Sequence, residues 1–290
     1  MIRHTFMHIQ GIGRTTEQRL WEDGLLSWDR LDAAAADVPE RLRGVLRVGV
    51  ADSLRNRHDP AYFARRLPAA MAWRIFPEFR AATAYLDIET TGLDRERDRV
   101  TTVALYDGRT VKTYVRDRNL DEFPRDAQAF KVLVTYNGKS FDQPFLERCF
   151  GVRLRQAAVD LRYILKALGF SGGLKGCERR LGMGRGELDG VDGFTAVLLW
   201  ERYRRSRDDR ALETLLAYNV QDTINLERLL VEAYNRNIAA TPFAAGLTVP
   251  DAATPANPFR ACPELVAELT GGFGAAGAGR APRYGAAGAF

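Results

Sequence analysis

Apolar positions change their period twice along the 290-residue chain. Residues 1–75 are charged, with apolar positions at helical spacing and no strand pattern. Residues 76–237 alternate short apolar runs with amphipathic stretches, and residues 238–290 lose both patterns. In the middle zone, 83–88 (TAYLDI), 99–106 (RVTTVALY), 110–114 (TVKTY), 131–135 (KVLVT) and 157–161 read as strands. Asp107-Gly108 between the second and third is a hairpin turn. Helical spacing covers 120–130, 140–150, 161–168, 173–182, 193–206 and 210–234. Strands first, then helix–strand–helix alternation, predict a three-layer α/β domain with a mixed sheet.

Composition adds mostly exclusions. A chain this long buries a core without disulfides or a structural metal. Cys149, Cys177 and Cys262 are scattered, forming neither a disulfide framework nor a CxxC zinc site, so a reducing cytoplasm is expected. No apolar run approaches the ~18 residues that span a bilayer, and MIRHTFMHIQGIGR lacks the apolar stretch of a secretory leader. Fourteen of the last twenty residues are Gly or Ala, so the tail from about residue 271 is expected to be disordered. Pro250, Pro255, Pro258 and Pro263 punctuate a linker before it, with one short helix at 263–269.

Charge and histidine usage narrow the chemistry. The net charge of +5 leans towards a polyanionic partner. The three histidines are His4, His8 and His58. Any site beyond residue 58 therefore lacks an imidazole base, a Ser-His-Asp triad and His-ligated zinc.

Four acids lie where burial would forbid them without a task. Asp87 and Glu89 flank Ile88 in YLDIETTGL, so strand alternation puts both carboxylates on one face. Their repulsion and lost hydration are relieved by a hard divalent cation, Mg²⁺ or Mn²⁺; a solvated strand end is the alternative. In VTYNGKSFDQPFL, a strand ends at Tyr136, Asn137-Gly138 turns, Ser140 is a plausible N-cap, and Asp142 enters the helix's first turn. Its plain role there is to complement the helix dipole. In LLAYNVQDTINLERLL, Tyr218 and Asp222 are four residues apart and share a face of a largely apolar helix. A Tyr–Asp contact at the core rim is the alternative.

Taken together and in order, YLDIETTGL, YNGKSFDQPFL and YNVQDTINL resemble the three exonuclease motifs of the DEDD superfamily of RNase H-like 3′–5′ exonucleases. WRIFPEF (73–79), VDLRYILKALGFSGGLKGCERRLG (159–182) and LLWERYRRSRDDRALETLLAYN (198–219) extend the resemblance, most closely to the YprB-type ribonuclease H-like group. It implies an RNase H-like mixed five-stranded sheet flanked by helices. It also implies the catalytic and metal-binding set Asp87, Glu89, Asp142 and Asp222, with Tyr218 in the fifth position, as in the DEDDy subgroup. Asp87 would bridge two divalent cations, Glu89 and Asp222 would help hold the one beside the attacking water, Asp142 would orient the other, and Tyr218 would align the water.

Donors for a nucleic-acid backbone are expected around that centre: Thr90, Thr91 and Gly92 after Glu89; Asn137 and Lys139 beside the second motif; and Gly172, Gly173 and Lys175 at a helix start. At the N-terminus, HIQGIGRTTEQRLWEDGLLSWDRL lacks the third glycine and the strand of a dinucleotide fingerprint. It resembles a helix-hairpin-helix element, which implies phosphate contact by Gly11 and Gly13; packing through Leu20, Trp21, Leu25 and Trp28 is the alternative.

The expected organisation is a helical N-terminal region (1–75), an RNase H-like exonuclease domain (76–237), and a linker with a Gly/Ala-rich tail (238–290). The expected activity is metal-dependent 3′–5′ exonuclease action on DNA, with RNA as a further substrate, and no membrane partner. A catalytically silent nucleic-acid-binding protein and a structure-specific endonuclease on the same site are the alternatives.

Overall fold

The computed structural model describes residues 1–33, 38–188, 190–253 and 255–274. Five strands form one sheet: β1 (Thr83–Thr90), β2 (Val100–Tyr106), β3 (Val111–Val115), β4 (Val132–Thr135) and β5 (Ala157–Asp160). Helices α1 (Arg14–Glu22) and α2 (Glu40–Arg55) precede it, and α3 (Asp142–Phe150) lies between β4 and β5. After β5 come α4 (Leu161–Ala167), α5 (Gly173–Arg180), α6 (Gly193–Ser206), α7 (Asp209–Ala239) and α8 (Pro263–Gly274).

The sheet order is β3-β2-β1-β4-β5, which makes β1 central. β1 pairs antiparallel with β2 and parallel with β4, so the sheet is mixed. Alternation along β1 divides the core. Tyr85 joins Ala104, Tyr106, Val132 and Val134 on the face covered by α7 through Val220, Ile224 and Leu229. Ala84, Leu86 and Ile88 face the other way, onto Phe145 and Leu146 of α3. This is the five-stranded mixed sheet between helical layers that the motif resemblance implies.

Local chemistry sets the element ends. In the β2–β3 hairpin, Asp107 Oδ1 accepts from the backbone of Arg109 and Thr110 at 2.8 and 2.7 Å, and Gly108 takes a φ of 88°. Residues 120–130 are not one helix: a 3₁₀ turn (Leu120–Glu122) is followed by a five-residue helix (Phe123–Ala127). Pro124 has no N–H for the ladder of a helix begun at 120, so the segment restarts there. Helix α3 begins at Asp142 with Phe141 at its N-cap, and no side chain caps it; Ser140 does not fill that role.

The N-terminal residues share the core of the sheet. Glu17 accepts from Thr5 Oγ1 at 2.9 Å and from the Phe6 N–H at 2.6 Å, and pairs with Arg74 at 2.7 Å. Trp73 meets Tyr234 of α7 edge-on with ring centroids 5.5 Å apart. The element preceding the Gly11–Gly13 turn is a three-residue 3₁₀ helix (Ile2–His4), too short for the first helix of a helix-hairpin-helix unit. Helix α8 runs to Gly274, so residues 271–274, expected to be disordered, are helical instead; the rest of the expected disordered tail lies outside the described residues. Among the described residues no helix is long and apolar enough to cross a membrane.

Candidate active site

A cleft of about 380 Å³ opens beside the C-terminal end of β1. Asp87 and Glu89 from β1, Asp142 from the start of α3, and Tyr218 and Asp222 from α7 all line it. Three segments far apart in sequence therefore meet at one place. Strand alternation aims Asp87 and Glu89 to the α7 side. The turn after β4 delivers Asp142 to the same end. Asn137 adopts the left-handed conformation there (φ 66°), which Asn tolerates better than most residues. Gly138 sits so close to the Thr135 side chain that any Cβ would collide with it. Asp160 pins the turn, accepting from the Asn137 N–H at 2.8 Å and the Lys139 N–H at 3.2 Å.

The acids are deeply desolvated. Glu89, Asp142, Tyr218 and Asp222 are each at most 9% exposed. Burial pushes Asp87 up to about 7, against the pull of the Asn219 hydrogen bond and the Arg185 charge. Burial also raises Glu89 and Asp142 well above the ordinary carboxylate range, with repulsion from Asp87 next in importance for both. The Tyr218 phenol is raised too, by burial first and then by the Glu89 charge, so it stays protonated at neutral pH.

Two cations answer this charge. Lys175 Nζ lies 4.8 Å from the Tyr218 ring centroid, and burial brings its ammonium down to about 8. Arg185 ion-pairs with Asp222 and, through Nε, with Glu178 at 2.7 Å. Asn225 donates to the other Glu178 oxygen at 2.8 Å. Asn219 donates to Asp87 at 2.7 Å and accepts from Thr102 at 3.1 Å. Asp192, the N-cap of α6, also lines the cleft.

The carboxylate set fits a hard divalent cation. Its donors are all oxygens, with no thiol or imidazole on the cleft wall, and their mutual repulsion in a dry site is what such an ion removes. Among the described residues, no three His, Cys, Asp or Glu side chains stand gathered as a ready-made metal cage. Asp222 is ion-paired with Arg185 instead.

The remaining expected contacts divide. Thr90, Gly92, Asn137, Gly172, Gly173 and Lys175 line the cleft. Thr91 and Lys139 do not, and the Thr91 N–H is already donated to Arg99 O at 2.9 Å. Gly11 and Gly13 belong to the N-terminal turn, where α1 starts, away from the cleft wall. Sequence reasoning missed Glu178, Arg185 and Asn219. For Asn219 a cue existed, a polar residue on the buried face of an apolar helix.

No curated protein matches the chain. Among solved structures, a family B DNA polymerase from the archaeon Pyrobaculum calidifontis shares 18% identity over 58% of this chain, with a TM-score of 0.41. The match covers 27% of that polymerase, so this chain spans about a quarter of its length. Brucella melitensis NrnC matches at 20% identity and a TM-score of 0.37, over 59% of this chain and 82% of its own. A second NrnC structure, with bound Mg²⁺, matches at 19% identity over the same shares, also with a TM-score of 0.37. The RNase H superfamily's family model matches residues 84–234. That span runs from β1 to the Tyr234 turn of α7, takes in all five strands and every acid of the cleft, and exceeds half of the sequence; the chain belongs to the RNase H superfamily.

Proposed function

We propose that the protein is a divalent-cation-dependent 3′–5′ exonuclease of the DEDDy type, closest to the YprB-like group, acting on DNA with RNA as a further substrate. What supports this reading is the meeting of Asp87, Glu89, Asp142, Asp222 and Tyr218 in one cleft. The four carboxylates would hold two ions, Mg²⁺ or Mn²⁺. Such ions supply charge neutralisation at phosphorus and a more acidic water for attack. The chain's own residues do the rest. Tyr218, protonated, aligns the attacking water by hydrogen bonding rather than removing its proton. Lys175 and the Gly172-Gly173 turn at the start of α5 hold the backbone of the terminal nucleotide. Asn219 fixes the Asp87 carboxylate. The unpaired thiols fit a cytoplasmic setting. Residues 76–237 form the catalytic domain, with 1–75 as a helical N-terminal region and 238–290 as a linker and tail.

Oligonucleotides labelled separately at each end, with Mg²⁺, Mn²⁺ or EDTA, test the reading. Stepwise loss from the 3′ end, abolished by EDTA, is the expected result. Loss from the 5′ end, or cuts within a circular strand, would overturn it. One observation favours a second reading: Arg185 already neutralises Asp222, as in a binding protein without turnover. Tight binding with no cleavage under any metal would establish that reading.

A further inference from the structure

A second hollow, of about 520 Å³, lies across the 91–99 loop from the acidic cleft. Five arginines line it: Arg95, Arg99, Arg116, Arg118 and Arg148. They come from the loop before β2, the end of β3 and the last turns of α3, so the fold, not one basic run, gathers them. The hollow's acids are Asp98, Asp117 and Asp121. Asp98 is committed within the loop, accepting from Thr91 Oγ1 and the Asp94 N–H, both at 2.8 Å. Arg148 ion-pairs with Glu96, and Arg118 lies 3.7 Å from Asp209, but neither of those acids lines the hollow, whose own walls hold five arginines against three aspartates.

Several guanidiniums are anchored by part of their donor set. Arg95 Nη2 donates to Ser140 O at 2.8 Å, and Arg116 Nε to Val100 O at 2.6 Å. Arg118 donates from Nε and Nη2 to Tyr203 Oη at 3.1 and 2.6 Å. Arg99 makes no side-chain hydrogen bond or ion pair among the described residues. Anchored guanidiniums with donors to spare are the arrangement that takes phosphate oxygens. Phe150, half-buried at the end of α3, adds an apolar edge against which a base can pack.

We infer that this hollow binds the phosphodiester backbone of the nucleic-acid substrate a few nucleotides from the scissile bond. The inference rests on the nuclease reading and deepens it. Helix α3 joins the two sites, with Asp142 in the cleft and Cys149 in the hollow. Seven residues of helix separate them by roughly 10 Å. At about 3.4 Å of rise per phosphate, a strand covers that distance in roughly three nucleotides. The cleft walls carry an excess of acid, and the arginines supply the attraction that brings a polyanion to them.

The test is fluorescence anisotropy in EDTA over a range of KCl, with labelled single strands of about twelve nucleotides and with a dinucleotide. The proteins are the wild type, Arg99→Ala/Arg148→Ala, and Arg99→Lys/Arg148→Lys. The double alanine variant should bind the longer strand at least fivefold more weakly, and the slope of log affinity against log salt should fall by about 1.4, the value for two phosphate contacts on a single strand. The lysine variant should recover most of that slope, and the wild-type-to-variant affinity ratio should shrink towards one for the dinucleotide. An unchanged slope, equal losses for both lengths, or equally strong displacement by poly-glutamate would overturn the inference. Because EDTA blocks turnover, a protein that binds in this way but never cleaves would sink the nuclease reading and leave the hollow standing.

Discussion

Asn219 donates its Nδ2 hydrogen to Oδ2 of Asp87 at 2.7 Å, joining the last long helix to the central strand inside the cleft. Its own carbonyl oxygen accepts from Thr102 on β2 at 3.1 Å, so its amide orientation is fixed from both ends. Asn219→Ala should leave a buried carboxylate and a buried hydroxyl short of partners. We expect a loss of about 1–3 kcal/mol in chemical denaturation, together with a lower turnover number. An unchanged denaturation midpoint and wild-type turnover would show that the tie has no role.

Asp87→Asn should lower turnover about a thousandfold or more, corresponding to ~4 kcal/mol of barrier. The same variant should melt no lower than the wild type in EDTA, because it removes a charge that burial penalises while the Asn219 hydrogen bond can still form. Turnover within tenfold of wild type would remove Asp87 from the catalytic set.

Tyr218→Phe should keep part of the activity, losing between about tenfold and a hundredfold, less than a residue that itself carries the proton. The phenol is held protonated by burial, so a role as base is closed to it at neutral pH. A loss as deep as that of Asp87→Asn, with the fold intact by circular dichroism, would contradict the aligning role.

Arg185 bridges two buried acids, Glu178 and Asp222. Arg185→Ala should cost about 3–5 kcal/mol, because it strands both carboxylates in a dry site. Glu178→Gln/Arg185→Met, which removes the Glu178 charge as well, should recover part of that loss. Equal melting temperatures for the wild type and Arg185→Ala would show that the bridge adds nothing.

His8 gives the fold a pH dependence separate from the cleft. Its Nε2 faces Ser53 Oγ at 2.6 Å, and its ring packs against Trp28, Tyr62 and Phe63. Burial, then the charges of Arg66 and Arg74, bring its pKa from 6.5 down to about 3. A depressed histidine binds its proton more readily in the unfolded chain. Its contribution is thus complete above pH 6.5 and is lost as pH falls towards 3, at roughly 1.4 kcal/mol per unit. Urea denaturation of the wild type and His8→Phe between pH 7 and 5 should show the steeper decline in the wild type. Parallel curves would refute the assignment.

Which parts of this arrangement were legible follows from the physics of each signal. Asp87 and Glu89 could be placed on one face because a strand has a period of two, and Tyr218 and Asp222 because a helix repeats near four. The Asn137-Gly138 turn was legible because few residues tolerate its backbone. Segment 120–130 was misread as one helix because apolar spacing does not register the missing N–H of Pro124. Glu178, Arg185 and the five arginines of the second hollow were invisible for a different reason. They sit on separate segments, and only the folded sheet, with no local period, sets them face to face.

Helix α7 spans 31 residues, placing Tyr218 and Asp222 in its first half and Tyr234, against Trp73, in its second. It works as a beam clamped at its far end by the N-terminal quarter of the protein. Deleting that quarter would unclamp the beam and let the two cleft residues drift from β1, so a trimmed fragment starting at the sheet would lose its working geometry before it lost its strands.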